Sequence, residues 1–268
     1  MLRMIRIVAA VAVFVGLNLF FLGFADGTGV LAQVQFVPAC LAFNFIVLGV
    51  VAGVTLLAGR LYCSIVCPLG IFQDVVLWIR RRFRRTSFLF RAGRPVIRAV
   101  AAVLFAALLL CGAASLAGLV EPYSVYGRFA THLFEPLAAA CNNYVADLCM
   151  RWGRPCVLKS EVFIRGWSAL AVAVVSLAAL TVVAALRGRL FCNTICPVGA
   201  VLGLLSAKPL VRIRLDGEKC VKCGLCAKAC DKGAIRVRDD KSVAIDHSKC
   251  VVCLDCKGSC RKGALKWR

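Results

Sequence analysis

Four stretches of this chain, residues 7–25, 37–58, 100–120 and 167–186, contain no charged residue. Each is long enough to cross a bilayer as helix, which takes about 20 apolar residues. Apolar residues make up 61% of the 268, yet 34 Lys and Arg stand against 13 Asp and Glu, for a formal charge of +21. One compact soluble globule cannot hold so large an apolar core beneath so basic a surface. The two demands separate if the apolar runs lie in lipid and the basic residues lie on one side of it. The first run is longer than the apolar region of a signal peptide, about 7–15 residues, and reads as a span.

The positions of Lys and Arg give the orientation. Arg3 and Arg6 precede the first span, and Arg60, Arg80, Arg81, Arg82, Arg84, Arg85, Arg91 and Arg94 lie between the second and third. The connections 26–36 and 121–166 together carry five basic and five acidic residues, so the whole excess of +21 lies on the opposite side. By the positive-inside rule both termini are expected to be cytoplasmic. The arginine run beside the membrane fits anionic headgroups better than nucleic acid, and no nucleic-acid partner is expected.

From residue 209 the composition turns charged and cysteine-rich, which divides the chain into a membrane domain, 1–208, and a tail, 209–268. The tail repeats itself after thirty residues. Cys220, Cys223, Cys226 and Cys230 form a C-x2-C-x2-C-x3-C run, and Cys250, Cys253, Cys256 and Cys260 form another. This is the bacterial ferredoxin run, in which three near thiolates hold one 4Fe-4S cluster and the remote fourth Cys serves the other cluster. That rule assigns Cys220, Cys223, Cys226 and Cys260 to one site, and Cys250, Cys253, Cys256 and Cys230 to the second. Zinc would leave the third and fourth cysteines of each run idle. Asp231 and Arg261 stand where a Pro usually follows the fourth Cys. Residues 234–237 and 243–245, flanking Asp239 and Asp240, predict a short hairpin.

A second repeat follows the second and fourth spans. Gly59-Arg60-Leu61-Tyr62-Cys63-Ser64-Ile65-Val66-Cys67-Pro68-Leu69-Gly70 matches Gly188-Arg189-Leu190-Phe191-Cys192-Asn193-Thr194-Ile195-Cys196-Pro197-Val198-Gly199 at seven of twelve positions. The membrane part therefore reads as two related helical hairpins, each ending in C-x3-C-P. Each Pro is compatible with the first turn of a new helix. Phe72, Val75, Val76, Ile79 and Phe83 then recur at the spacing of an amphipathic interfacial helix. Pseudo-symmetry would gather Cys63, Cys67, Cys192 and Cys196. Four such thiolates suit a further iron–sulfur cluster, while two redox-active dithiols and two buried structural pairs are the other readings.

Cys40 and Cys111, flanked by apolar residues, read as packing residues. Cys141, Cys149 and Cys156 fall in the exported connection, where one pair can form a disulfide and leave an odd thiol. In the same connection Tyr126, Arg128, His132 and Glu135 combine aromatic and titratable groups. They read first as an interfacial aromatic belt and second as a weak quinol site. The two histidines, His132 and His247, lie outside the spans, and no C-x-x-C-H occurs, so no haem is expected; nor is there a dinucleotide-binding glycine motif for flavin or nicotinamide. No charged ion pathway crosses the spans.

Two C-x3-C-P motifs after apolar helices, followed by a two-cluster ferredoxin, resemble the NapH/NosR-type membrane polyferredoxins over nearly the whole chain. The nearest likeness within that family is to four-helix NapH-like quinol dehydrogenase subunits. The resemblance implies a bacterial inner-membrane protein that moves electrons between the quinone pool and other redox subunits of a respiratory complex. The expected fold is a mainly α membrane protein of four transmembrane helices, arranged as two pseudo-repeated hairpins with an α+β ferredoxin tail. A metal- or thiol-reducing assembly factor for a respiratory enzyme is the alternative function, and a docking subunit with structural clusters a third.

Overall fold

The computed structural model describes residues 2–23, 29–83, 95–152, 158–162, 166–238 and 242–267. Arg84, Arg85, Arg91, Arg94, Cys156, Asp239 and Asp240 lie outside them. The N-terminal part is helical throughout. α1 (Leu2–Phe21) is followed by α2 (Gly29–Gln33), α3 (Phe36–Leu41) and α4 (Phe45–Ala58). After α4 come the single turn α5 (Tyr62–Ile65) and the long α6 (Pro68–Phe83). Next are α7 (Pro95–Leu110), α8 (Ala114–Ala117), α9 (Pro122–Phe129), a π-helical turn (Ala130–Phe134) and α10 (Glu135–Arg151). α11 (Trp167–Arg187) leads to α12 (Leu190–Thr194) and α13 (Pro197–Leu205).

Two of these, α1 and α11, are helices of 20 and 21 residues long and apolar enough to cross a membrane. α11 coincides with the expected fourth span. The second expected span, 37–58, is not one helix. The chain breaks at Phe43, which takes φ +51°, and Asn44 restarts it by accepting a hydrogen bond from the Val47 N–H at 3.2 Å. The third, 100–120, ends early at Leu110 because Gly112 takes the left-handed φ of +75° that terminates helices. α7 instead begins at Pro95, where a missing N–H costs nothing. α4 and α7 remain as shorter apolar helices.

Glu121 caps α9 by accepting from the Tyr123 N–H at 3.0 Å and from that of Ser124. α6 has the predicted amphipathic form. Leu69, Gln73 and Leu77 make its buried stripe; of the predicted apolar face Val75, Ile79 and Phe83 are exposed, whereas Phe72 packs inward against Phe129 and Val76 is half-buried.

The tail is α+β. β1 (Ile213–Leu215) pairs antiparallel with β4 (Leu265–Trp267), joining the ends of the domain. β2 (Ile235–Val237) pairs antiparallel with β3 (Val243–Ile245), the predicted hairpin. Short helices α14 (Leu225–Lys228) and α15 (Asp255–Ser259) close the two cysteine loops. The thirty-residue repeat extends to the backbone. Lys222 and Gly224 are left-handed in the first loop (φ +54° and +70°), and Val252 and Leu254 in the second (φ +53° and +62°). The domain does not hang free. Leu210 and Val211 donate backbone hydrogen bonds to Leu56 and Leu57 at the end of α4, at 3.1 and 2.7 Å.

Candidate iron–sulfur sites

In the tail, one cavity of about 250 Å³ is lined by Cys220, Cys223, Cys226 and Cys260. A second, tighter cavity is lined by Cys230, Cys250, Cys253 and Cys256. Each collects three cysteines of one run and the fourth of the other, the exchange expected of a two-cluster ferredoxin. An all-thiol donor set around a cavity fits a cubane. Burial pushes the thiol of Cys250 up to about 11 and that of Cys253 up to about 12. These groups are therefore protonated thiols at neutral pH until a metal displaces the proton.

The membrane-face motifs are built differently. Each second cysteine stands at the start of a helix whose first residue is the motif proline. Cys196 is the N-cap of α13, and its Sγ accepts from the Gly199 N–H at 3.3 Å. Cys67 precedes α6 in the same way, with the Gly70 N–H on its sulfur. A helix N-terminus favours negative charge, so both positions suit a thiolate bound to metal.

Two arginines bring the motifs together. Arg60 and Arg189 occupy the same place in the two repeats, and their relative exposures are 0% and 1%. Each reaches across to the other copy. Arg60 Nη2 donates to the Cys192 carbonyl at 3.3 Å and lies 3.8 Å from Cys63 Sγ. Arg189 Nη1 donates to the Cys63 carbonyl at 2.9 Å and Nη2 to the Gly70 carbonyl at 2.6 Å. The exchange is reciprocal. It also explains the repeated glycines. A Cβ on Gly70 would lie 2.3 Å from the Cys63 carbonyl oxygen, and one on Gly199 would lie 2.1 Å from that of Cys192.

Cys63, Cys67, Cys192 and Cys196 are all buried. Burial first, then the neighbouring Cys192, Cys67 and Cys63, push the Cys196 thiol up, so the four feel one another's charge. Burial likewise raises Cys192, against the pull of Arg189 and Arg60. Its Sγ lies 3.4 Å from Gln73 Oε1, which accounts for a polar residue on the buried stripe of α6.

Beneath this pair lies a charged network that sequence reasoning missed. Asp74 on α6 pairs with Arg189 at 2.8 Å, with Lys232 of the tail and with Arg6 of α1 at 3.7 Å. Burial alone would raise its carboxyl, but Arg189, Lys232 and Arg6 hold it down at about 2. Asn193 and Arg98 complete the junction with the tail. Asn193 Nδ2 donates to the Lys232 carbonyl at 3.0 Å, and Arg60 Nη1 and Arg98 Nη1 reach the Ser248 carbonyl and hydroxyl at 3.0 and 3.1 Å. Val251 and Cys253 share one apolar core with Cys63, Cys67 and Cys196. The tail site holding Cys253 is thus the one against the membrane-face cysteines. Arg81, read from sequence as a headgroup ligand, pairs with Asp231 of the tail at 2.7 Å. The signal for Arg60, Arg189 and both glycines was present, since all four are identities of the twelve-residue repeat. Asp74 and Gln73 carry no such mark.

The candidates of the 121–166 connection do not gather into an open slot. Tyr126 is fully buried in a cluster with Phe14, Phe21, Phe129 and Phe134, and its hydroxyl donates to Asn18 at 2.8 Å. Arg128 donates to the Ser115 carbonyl at 3.3 Å. His132 lies in the π-helical turn and Glu135 opens α10. Cys141 and Cys149 lie eight residues apart on α10, about 12 Å along a helix axis, so they cannot bridge each other.

A 4Fe-4S binding domain family matches residues 41–86 and again 169–215, the two segments carrying C-x3-C-P. Another 4Fe-4S binding domain family matches 213–236, in the first half of the tail. The chain is 25% identical over 182 residues to the ferredoxin-type protein NapH of Haemophilus influenzae, covering 67% of this chain and 50% of that one. To NapH of Escherichia coli K12 it is 26% identical over 176 residues, covering 65% and 48%. To the methylamine utilization ferredoxin-type protein MauN of Paracoccus denitrificans it is 27% identical over 176 residues, covering 65% and 49%. The chain thus spans about half the length of these relatives. No solved structure matches it. 4Fe-4S binding domains thus match at both cysteine repeats, and over about two thirds of its length the chain is similar to the ferredoxin-type proteins NapH and MauN.

Proposed function

We propose that this protein carries electrons between membrane quinol and a partner redox protein of a respiratory chain, through three iron–sulfur sites in series. Cys63, Cys67, Cys192 and Cys196 would hold the membrane-face cluster. Cys250, Cys253, Cys256 and Cys230 would hold the next, and Cys220, Cys223, Cys226 and Cys260 the outermost. Such clusters supply reversible one-electron chemistry when bound. The chain's own residues do the rest. The exchanged arginines hold the two motifs together and place positive charge beside a cluster of net negative charge. The shared core of Val251, Cys253 and Cys63 keeps water out between the first two sites.

The observation that carries this reading is the reciprocal bonding of Arg60 and Arg189, which binds each C-x3-C-P motif to the other and, through Ser248 and Lys232, to the tail. The topology that goes with it has four helices, α1, α3–α4, α7 and α11, crossing an inner membrane as two pseudo-repeated hairpins. Both termini then face the cytoplasm, where the excess of Lys and Arg lies. The test is titration of anaerobically purified protein with a menaquinol analogue. Bleaching of the visible iron–sulfur absorbance by quinol is the expected result. Clusters that bleach with dithionite but never with quinol would refute the quinol link. A reporter active only outside the cytoplasm should be silent at the C-terminus and active near Asn142.

A further inference from the structure

Between α1 and α6, where both meet the tail, lies a cavity of about 360 Å³. This is within the range of small-molecule sites, about 300–1,000 Å³. Its wall has two halves. Ile7, Val11, Ile71, Val75 and Trp78 form an apolar half, set on each helix at intervals of three, four or seven residues, so that they share a face. Val11, Val75 and Trp78 are 54%, 43% and 72% exposed, which leaves that half open toward the lipid side of an interfacial helix. The other half is charged and belongs to α1, α6 and the tail.

Each of the three carboxylates here has a cationic partner. Asp74 pairs with Lys232, Arg189 and Arg6, Asp231 with Arg81 at 2.7 Å, and Asp255 with Arg3 at 3.0 Å. A phosphate entering here would meet three carboxylates in exchange for cations that have partners, so an anion is disfavoured. A neutral headgroup with acceptor oxygens is not. One donor awaits such an oxygen. Arg6 Nε is buried and, among the described residues, has no hydrogen-bond partner. Unpaired buried donors are rare and costly, and a ligand oxygen is one way to satisfy them.

The cavity wall also holds residues next in sequence to cysteines of both inner sites. Ser64 in its wall follows Cys63, and Asp231 and Lys232 follow Cys230. We propose that this cavity binds the ring of a quinone or quinol, with an oxygen toward Arg6 and the tail toward lipid past Val75 and Trp78. The proposal rests on the quinol-linked reading above and moves its site from the exported residues 126–135 to the cytoplasmic face. Oxidation of a hydroquinone there releases one proton from each hydroxyl to cytoplasmic water. Its two electrons would pass singly to oxidised iron–sulfur clusters held by Cys63, Cys67, Cys192 and Cys196 and by Cys250, Cys253, Cys256 and Cys230, leaving the quinone.

The test uses full-length holoprotein in nanodiscs, an azido-menaquinone photolabel and peptide mapping. Label should fall on residues 3–11 and 71–78 and be displaced by excess menaquinone. Val75→Trp, which fills the space from an exposed position, should lower both labelling and quinol-driven bleaching about tenfold or more, equivalent to about 1.4 kcal/mol. Iron content and bleaching by dithionite should not change. Arg6→Gln should weaken labelling about fivefold, the worth of one hydrogen bond. Label on 126–135, with quinol-driven bleaching intact in Val75→Trp, would overturn this site and keep the quinol reading. Label displaced by phosphatidylglycerol but not by menaquinone would assign the cavity to a lipid headgroup and overturn it. Absence of both competable label and quinol-driven bleaching in the unaltered protein would overturn site and reading together.

Discussion

The two duplicated cysteine regions solve the same problem by different means. In the tail, a thirty-residue unit winds three cysteines around a cavity with its own loop and borrows the fourth from its copy. Spacing along the chain does most of the work, helped by left-handed residues at Lys222, Gly224, Val252 and Leu254. In the membrane-face region, each copy supplies two cysteines that are 129 positions from their counterparts. Nothing local brings them together. Two fully buried arginines do it by crossing between copies, and the Asp74 network neutralises one of them. The lesson is that a local site tolerates a loose surround, whereas a site made at a helical junction depends on the junction's polar bonds.

Removal of a crossing arginine should therefore separate the two regions most sharply. Arg189→Leu leaves Asp74 without its most deeply buried partner and the Cys63 and Gly70 carbonyls without the guanidinium donors. Loss of one partner of a buried pair costs about 3–5 kcal/mol. Thermal denaturation in detergent should show that loss, and iron analysis should show the membrane-face share gone. Arg60→Leu should cost less, about 1–3 kcal/mol, because among the described residues Arg60 pairs with no carboxylate and meets Asn193, Ser248, the Cys192 carbonyl and the Cys63 sulfur instead. Equal costs would mean that Asp74 does not distinguish the two arms.

Next come the glycines. Gly70→Ala and Gly199→Ala force a methyl group against the facing carbonyl, an overpacking worth about 1–3 kcal/mol. Each should deplete iron from the membrane-face site while the tail keeps about eight iron and eight sulfide, as two cubanes require. Depletion from the tail instead would break the proposed independence of the regions.

Within the cysteines, Cys63→Ser should remove only the iron in excess of the tail's share and slow quinol oxidation. Cys230→Ser should damage the site of Cys250, Cys253 and Cys256 rather than that of its own run. Electron paramagnetic resonance of the reduced protein separates these outcomes. Damage confined to the site of Cys220, Cys223 and Cys226 would refute the exchange.

The smallest effect is a gain. Lys222 is exposed and holds a left-handed φ of +54°, so Lys222→Gly should stabilise the tail by about 1 kcal/mol. Val252 has the same conformation, yet its Cγ2 would lie 3.3 Å from a Cβ on Gly59. There Val252→Gly trades relief of strain against lost packing at the junction, and no comparable gain is expected. A like gain at both positions would mean that the junction contact is idle.

Much of this was legible along the chain. The ferredoxin loops, their exchanged fourth ligand and the 235–245 hairpin follow from spacing, because a covalent thirty-residue unit leaves its cysteines few other places to go. α11 and the amphipathic α6 follow from uninterrupted apolar periodicity. The stretches 37–58 and 100–120 are not single continuous helices, since a left-handed residue, Phe43 or Gly112, ends a helix that hydropathy alone would continue. Tyr126 looked available to a ligand by composition and is packed solid by aromatics from α1 and from its own segment.

The sequence by itself determined the two cysteine repeats, their spacing in the tail and the side of the membrane expected to carry the charge, because these depend on residue type and spacing. Only the tertiary structure decided which tail site faces the membrane-face cysteines, that Arg60 and Arg189 exchange copies, and that Asp74, Lys232 and Arg6 meet at one junction. Those are contacts between residues more than sixty positions apart, selected by burial: a guanidinium excluded from water must find its carbonyls and carboxylate wherever the fold has brought them.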